Sequence, residues 1–272
     1  MKRFRFFLCF LSLMAAVLLP VQQALAWETP CIGEPFDYSY ADDRRAVCIN
    51  RISENGLTYY VADIQLADAS LWRSVYASDK KPLSQLVAQE NAVFAINGDD
   101  YGTHRYGVII RNGELLRTHD TTRHMLIVDG DGALRMVTDR KNNPPKALAE
   151  QLLAEEVWQA YEFGPALVEN GQALDFPKAF DVISTRASRK EPRTAIGQIA
   201  PLHYCVIVAD GRQPGYSDGI SLQDLQRLFL DYGAQTAFNL DGGGSAELWF
   251  MGEVLNRPCG GHERSISDAI CF

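Results

Sequence analysis

The chain has 272 residues, 47% hydrophobic and 22% charged, which is enough apolar material for one large domain with a proper core. Its formal charge of −8 argues against nucleic acid or an anionic membrane surface as the main partner, although a few arginines can still build a local positive pocket. No Pro/Ser-rich linker, internal repeat or low-complexity run divides it; the nearest thing to a boundary is Arg140 to Pro145 (RKNNPP), read as a surface loop ahead of a helix.

The N-terminus reads as a secretory signal. Lys2, Arg3 and Arg5 form a basic region, Phe6 to Leu19 an apolar one, and Ala24-Leu25-Ala26 a small-residue cleavage site, so the mature chain is expected to start at Trp27. The apolar run is short for a spanning helix, and no other segment is long and apolar enough for one. Losing three positive charges takes −8 to −11. The implied address is the periplasm or full secretion, without membrane insertion after cleavage. Five cysteines remain, in a compartment that permits disulfides. Cys31–Cys48 and Cys259–Cys271 are the local pairings, and cross-terminal ones are allowed as well. Cys205, inside an apolar run, reads as a buried thiol.

Leu57 to Ile64 alternates as a strand. Leu83 to Glu90 reads as a short helix and Ala92 to Ile96 as a strand, broken by the turn chemistry of Asn97-Gly98-Asp99-Asp100. That turn is either a hairpin with solvated aspartates or a strand-end loop presenting Asn97 and Asp99 to a ligand. Gly107 to Arg111 and His124 to Val128 read as strands, with a hairpin signal at Arg111-Asn112-Gly113-Glu114. Lys146 to Tyr161 predicts an amphipathic helix with Leu148, Leu152, Leu153 and Val157 on one side. Phe163 to Val168 predicts a strand ending in an Asn170-Gly171 turn. Arg186 to Arg193 (RASRKEPR) is a basic patch, read as a solvated loop or as a phosphate contact through Arg193, just ahead of the strand Thr194 to Ile199.

His203 to Ala209 is a near-continuous apolar run, which fits a strand buried on both faces. Asp210-Gly211 ends it. Ser221, with Asp224 three residues on, opens a helix whose Leu222, Leu225, Leu228, Phe229 and Tyr232 share a face, and Gly233 stops it. A new strand begins at Thr236. Strand, helix, strand predicts a βαβ unit with parallel strands, whose ligands gather outside the strands' carboxyl ends. Asp210-Gly211 and Asp241 to Ser245 should therefore lie close together. The expected fold class is α/β (α+β mixed): a single domain with a mixed sheet flanked by helices and this βαβ unit in the C-terminal half.

Thr236 to Ser245 reads TAFNLDGGGS. Three consecutive glycines cost more backbone entropy than any other triplet, so they need a reason. Gly242, Gly243 and Gly244 strip every Cβ from a patch of backbone between Asp241 and Ser245, which lets a ligand touch the main chain and lets successive N–H groups turn toward an anion. The alternative is a tight glycine turn, because Glu247 to Phe250 follows as a strand.

Together with INGDDY (Ile96 to Tyr101), FGPALVENG (Phe163 to Gly171), PRTAIG (Pro192 to Gly197), VADGR (Val208 to Arg212), LNRP (Leu255 to Pro258) and the pair Glu263-Arg264, this motif resembles the phosphodiester glycosidase family over roughly Asn91 to the C-terminus. The resemblance implies hydrolysis of a sugar-1-phosphodiester in envelope or extracellular glycans. It places Asp241, the three glycines and Ser245 at the site, with Asn97, Gly98 and Arg193 beside them. Cleavage at an anomeric carbon wants a carboxylate near the developing oxocarbenium charge and positive charge on the departing phosphate. Asp241 is then the principal carboxylate, acting as base, nucleophile or hydroxyl anchor. Asp99, Asp210 and Glu263 are candidates for a second carboxylate, Arg193 and Arg264 for the phosphate, and the glycine amides and Ser245 for the lining. No cofactor is required; a calcium or magnesium ion on Asp99, Asp100 or Asp241 is the ion these hard ligands would admit. The expected partner is a glycan or sugar phosphodiester, and the oligomeric state is not legible. The competing readings are a non-catalytic carbohydrate-binding or exopolysaccharide-assembly protein, and a structural envelope protein in which the glycine loop is only a turn. There is no G-x-S-x-G elbow, P-loop, Cys-x-x-Cys or metalloprotease histidine spacing. His104 and His262 sit in loops and read as ordinary surface histidines, or as side chains that reach the site.

Overall fold

The structure is a computed structural model that describes residues 27–103, 105–176 and 188–272. The expected signal segment, His104 and the first two residues of the basic patch, Arg186 and Ala187, lie outside the described residues. In chain order the elements are β1 (Tyr38–Ala41), β2 (Arg45–Glu54), β3 (Leu57–Leu66), β4 (Arg73–Lys81), α1 (Leu83–Val87), β5 (Phe94–Asn97), β6 (Val108–Arg111), β7 (Glu114–Thr118), β8 (His124–Val128) and β9 (Leu134–Val137). There follow α2 (Pro145–Ala154), β10 (Gln159–Phe163), β11 (Ala166–Glu169), β12 (Gln172–Ala173), β13 (Arg193–Ala200), β14 (His203–Ala209), α3 (Leu222–Asp231), β15 (Thr236–Asn239), β16 (Leu248–Phe250), β17 (Glu253–Val254) and β18 (Ile266–Cys271).

Strands take 43% of the chain and helices 13%, so the fold is β-rich rather than the balanced α/β class expected from sequence. The strands form three sheets, in the orders β1-β2-β3-β14-β13-β15-β11-β12, β7-β6-β10-β8-β9 and β17-β16-β5-β18-β4. Every strand pairing among the described residues is antiparallel, so the expected mixed sheet is corrected. The βαβ reading is half right. β14 and β15 do run in the same direction, but β13 lies between them and pairs antiparallel with both. The misreading has a physical cause. Burial on both faces produces a continuous apolar run whatever the strand direction. In β14, Tyr204, Val206 and Val208 face the core shared by the three sheets, and Cys205, Ile207 and Ala209 face a layer under α3.

The shared core is built from all three sheets, around Trp72, Phe94, Tyr161, Tyr204 and Phe272. Among the described residues, each sheet then carries one helix on its outer face. Leu222, Leu225 and Phe229 of α3 cover the first, Leu148, Ala149 and Leu152 of α2 the second, and Leu83, Leu86 and Val87 of α1 the third. Burying one such Leu or Phe fully stabilises the fold by ~1.5–3 kcal/mol. Ser221 caps α3 as expected, accepting from the Asp224 N–H at 3.1 Å, and Gly233 leaves it at φ 81°. Asn112-Gly113 and Asn170-Gly171 make the expected hairpin turns, all four residues at positive φ. The helix expected over Lys146 to Tyr161 stops at Ala154, and the chain turns away at Glu156 (φ 54°) into β10. Val157 and Ala160 still pack into the cluster that α2 covers, so the apolar spacing continues after the helix has ended.

The cysteines also differ from expectation: all five described ones are free. Cys271 is sealed in the layer under α1, whereas Cys259 lies half-buried in a loop. The Cys31 thiol finds Cys205 as its hydrogen-bonding neighbour rather than Cys48.

One buried ion cluster joins the second and third sheets. Arg111, fully buried on β6, places Nη2 2.6 Å from Asp99 and 3.1 Å from Asp268, while Nη1 donates to the Ala160 carbonyl at 2.6 Å. Its guanidinium stacks on Tyr161 at 4.2 Å, and Asp99 accepts from the Glu162 N–H at 2.7 Å. Removing one partner of a buried pair leaves an uncompensated charge. Arg111→Ala should therefore cost ~3–5 kcal/mol in denaturant unfolding, against less than ~0.5 kcal/mol for exposed Lys146→Ala.

Candidate functional site

The position of β13 creates the site. Because it runs antiparallel between β14 and β15, its first residue, Arg193, lies level with Ala209, the last residue of β14, and two positions from the pair Ala195–Asn239 at the end of β15. The loops after β14 and β15 therefore flank Pro192-Arg193. Both loops touch it closely: a Cβ on Gly211 would sit 2.7 Å from the Pro192 nitrogen, and one on Gly242 2.7 Å from its carbonyl oxygen. The expected closeness of Asp210-Gly211 and Asp241 to Ser245 is thus realised, around an arginine.

A cavity of about 540 Å³ opens there. Arg189, Arg193, Arg212 and Arg264 line it with Glu191 and Asp241, and so do Arg123, Phe163, Gly164 and Asn239. Five arginines against two carboxylates make a positive recess in an acidic protein. Arg193 is almost completely buried. Burial, partly offset by Glu191 and reinforced by Arg212, pulls its guanidinium down to about 10, so it stays charged at neutral pH. A crowded, poorly hydrated cation of this kind gains from an arriving anion.

The glycines work differently from the amide cradle expected of them. Gly242 N–H donates to the Asp241 carboxylate at 2.9 Å, Gly243 N–H to the Pro192 carbonyl at 2.9 Å, and Ser245 N–H to the Gly242 carbonyl at 3.2 Å. These three donors are used inside the loop, so of the glycine amides only that of Gly244 has no such bond among the described residues, and most of the positive character comes from arginines. The missing Cβ atoms make room for them: a Cβ on Gly243 (φ 61°) would be 3.2 Å from the Arg212 guanidinium, and one on Gly244 would be 3.3 Å from Arg264 Cδ. Arg212 is held by Glu191 at 2.5 Å.

Asp241 faces the cavity. Burial pushes its carboxyl up to about 6, with Asp100 adding, against hydrogen bonds from Ser245 and Gly242 and the charge of Arg264. Asn97 and Gly98 lie behind it. Asn97 Nδ2 donates to the Asp241 carbonyl at 2.8 Å, and its Oδ1 accepts from Thr194 Oγ1 at 2.7 Å and the Glu247 N–H at 3.2 Å. The Gly98 carbonyl accepts from the Asp241 N–H at 3.2 Å, and a Cβ on Gly98 would overlap Asp268 at 2.0 Å. Both residues position the loop rather than line the cavity.

None of the three expected second carboxylates lines the cavity. Asp99 is bound to buried Arg111. Asp210 accepts from Asn256 Nδ2, the Arg257 N–H and the Tyr216 hydroxyl, at 2.8–3.0 Å, and so ties two loops together. Glu263 accepts from Ser84 N and Oγ at the first turn of α1, at 2.9 and 2.5 Å. His262 contacts the Gly260 carbonyl and is exposed. Among the described residues, no three His, Cys, Asp or Glu side chains converge as a metal site. The lining residues missed in the sequence are Arg123, Phe163, Arg189, Glu191, Arg212 and Asn239. Five of them sit in segments already singled out; their order in the chain gave no sign that these segments share one cavity.

A profile of the phosphodiester glycosidase family matches residues 90–272. The chain belongs to that family. The catalytic domain of zebrafish N-acetylglucosamine-1-phosphodiester alpha-N-acetylglucosaminidase, solved in a form auto-inhibited by its pro-peptide, superposes with a TM-score of 0.63 at 18% identity, covering 84% of this chain and 82% of that one. A hypothetical protein from Synechocystis superposes at 0.54 and 14% identity, over 84% of this chain and 62% of that one. At those identities the likeness is one of fold. In Bacillus subtilis (strain 168), the SPbeta prophage-derived uncharacterized protein YomE is 26% identical over 200 residues, which are 71% of this chain and 30% of that protein. The chain thus matches under a third of that relative's length.

The site region concentrates raised carboxyls. Burial lifts Glu162 and Glu247 to about 7 and Asp241 to about 6, and it raises Asp268, where neighbouring Asp99 adds. A raised carboxyl holds its proton in the folded state at a pH where the unfolded chain has released it, so stability falls as pH rises from about 4 toward 7. His203 acts in the same direction: Asp63 and Glu28 raise it against the pull of burial. His124, lowered to about 4 by burial and Arg140, opposes them, because its contribution is lost as pH falls through about 6.5. Four carboxyls and His203 outweigh one histidine. The melting temperature at constant ionic strength should be higher at pH 5.5 than at pH 8, as calorimetry can check.

Proposed function

We propose that this chain is an exported phosphodiester glycosidase that hydrolyses a sugar-1-phosphodiester in envelope or extracellular glycans. The observation that carries the reading is the convergence of Asp241 with Arg193, Arg212 and Arg264 on one cavity of an otherwise acidic protein. Family membership supports the reaction class, the zebrafish enzyme's name supplies the first substrate to try, and the N-terminal signal pattern supports export.

In this reading the bond between the anomeric carbon and the phosphate oxygen breaks, and its electron pair leaves on the phosphate. Water supplies the new oxygen and releases a proton. The phosphate monoester is a good leaving group, so a strong general acid is unnecessary, and the arginines neutralise the charge that develops on it. Ionised Asp241 meets the oxocarbenium charge as base or nucleophile. The second reading, a non-catalytic glycan-binding protein, is favoured by one fact: the other lining carboxylate, Glu191, is committed to Arg212.

Turnover of N-acetylglucosamine-1-phosphodiester and a panel of sugar phosphodiesters separates the two. Asp241→Asn should lower kcat by ~10³-fold or more while the protein stays folded, as its circular dichroism spectrum can check. Wild-type kcat/KM should rise with pH through about 6 and level off above, because the ionised form works; any residual rate of the variant should lack that limb. No turnover across the panel, with glycan binding still measurable, would leave the binding reading. Equal turnover in both proteins would move the chemistry away from Asp241. Arg193→Ala should weaken inhibition by inorganic phosphate ~10- to 100-fold, the range for a lost charge-assisted hydrogen bond.

A further inference from the structure

We infer that Asn239 is the sugar-reading residue of this site, accepting a hydrogen bond from a hydroxyl or acetamido N–H of the sugar ring. The inference rests on the sugar-phosphodiester reading above and adds to it which end of the cavity takes the sugar, and how.

Asn239 is only 1% exposed, yet it lines the cavity. Its backbone is fully used: the N–H donates to the Pro165 carbonyl at 3.1 Å, and the carbonyl accepts from Gly164 N–H at 3.0 Å. Its side-chain Nδ2 donates to the Gly164 carbonyl at 2.7 Å. That contact fixes the amide's orientation, because only the nitrogen end can face a carbonyl oxygen. The other end, Oδ1, is buried and has no hydrogen-bond partner among the described residues. Buried acceptors are almost always met. This one, locked in place on a rigid strand end, accepts only, so it selects a donor.

Its neighbours suit a sugar. Phe163 lines the cavity beside it, half-buried, with Arg123 4.8 Å from the ring centroid. An aromatic ring takes the apolar C–H face of a pyranose while a fixed amide oxygen takes a hydroxyl or N–H. Asp241 is two residues on in the same cavity, followed by Gly243 and Gly244, which lie against Arg212 and Arg264. A substrate with its anomeric carbon at Asp241 and its phosphate among the arginines has its ring pointing toward Asn239 and Phe163. A ligand lacking the matching donor leaves a buried oxygen unpaired, and this asymmetry discriminates more sharply than loss of apolar contact does.

The test is calorimetric, on the whole mature protein, with inorganic phosphate, α-glucose 1-phosphate, α-N-acetylglucosamine 1-phosphate and its deoxyfluoro analogues, whose fluorine cannot donate. In the wild type the better sugar phosphate should bind on the order of tenfold or more tightly than phosphate, and one donor-deleted analogue should lose a similar factor. In Asn239→Ala that penalty should vanish while phosphate affinity stays within about twofold, the pattern of a double-mutant cycle. Asn239→Ser serves if the alanine variant fails to fold. A penalty of equal size in both proteins, or equal losses for phosphate and sugar phosphate, overturns the assignment, as does a wild-type series in which no deletion matters. Phosphate binding without any preference for a sugar phosphate sinks this inference and leaves the phosphate reading standing; no binding of either ligand sinks both.

Discussion

The carboxamide of Asn97 is the joint on which the site depends. It sits at the end of β5, buried, and reaches three separate parts of the chain: Thr194 on β13, the carbonyl of Asp241, and the backbone of Glu247 beyond the glycine loop. One side chain thus fixes the loop to the first and third sheets. Losing either half of a saturated buried amide exposes its partners to the full desolvation penalty, so the arrangement tolerates little slack. Just beneath it the Arg111 cluster fixes the next residues, Gly98 and Asp99, against β6 and β18. The rigidity of the Asp241 loop comes from this double fastening. Helix packing is remote from it.

Charge is organised by distance. The chain is acidic overall, but surface carboxylates more than a Debye length away, ~8 Å at physiological salt, are largely screened inside a recess. What a ligand meets there are the near charges, and those are mostly arginine. Their supports differ. Arg193 is held by the strand that begins with it and by burial, and Arg212 by Glu191. Arg264 lies over the bare backbone of Gly244, with its own N–H bound to the buried Glu247 carboxylate at 2.8 Å. Three differently anchored guanidinia around one carboxylate can spread over the several oxygens of a phosphate without crowding a single point.

Local features were legible in the sequence wherever the determinant is local. The Ser221 cap and Gly233 stop bracket α3 because both act within one helical turn, and Asn112-Gly113 and Asn170-Gly171 turn because only such residues accept two successive positive φ angles. The apolar run His203 to Ala209 coincides with β14. The insertion of β13 between β14 and β15 was not legible, because it is a pairing across distant sequence that leaves no mark on the period of either strand. The carboxylates failed for a related reason. Asp99, Asp210 and Glu263 all stand in polar loops, where an aspartate facing a ligand and one accepting backbone N–H groups look alike. Asn239 was overlooked because it reads as the last residue of a strand, and only the fixed direction of its amide reveals the unpaired oxygen.

The triple glycine acquires a different meaning from this arrangement. An anion nest made of amides would leave the loop's N–H groups pointing at the ligand and hence costly to hold when the ligand is absent. Here the N–H groups of Gly242, Gly243 and Ser245 close the loop on itself and on Pro192, and so hold its shape. The glycines instead let arginine side chains lie close against the main chain, where a Cβ would press on them. The backbone is thereby preorganised and the charge is carried by side chains. In the proposed glycosidase reaction, with an oxocarbenium ion and a departing phosphate to stabilise together, that division helps, because the carboxylate does not have to move when the guanidinia adjust to the leaving group.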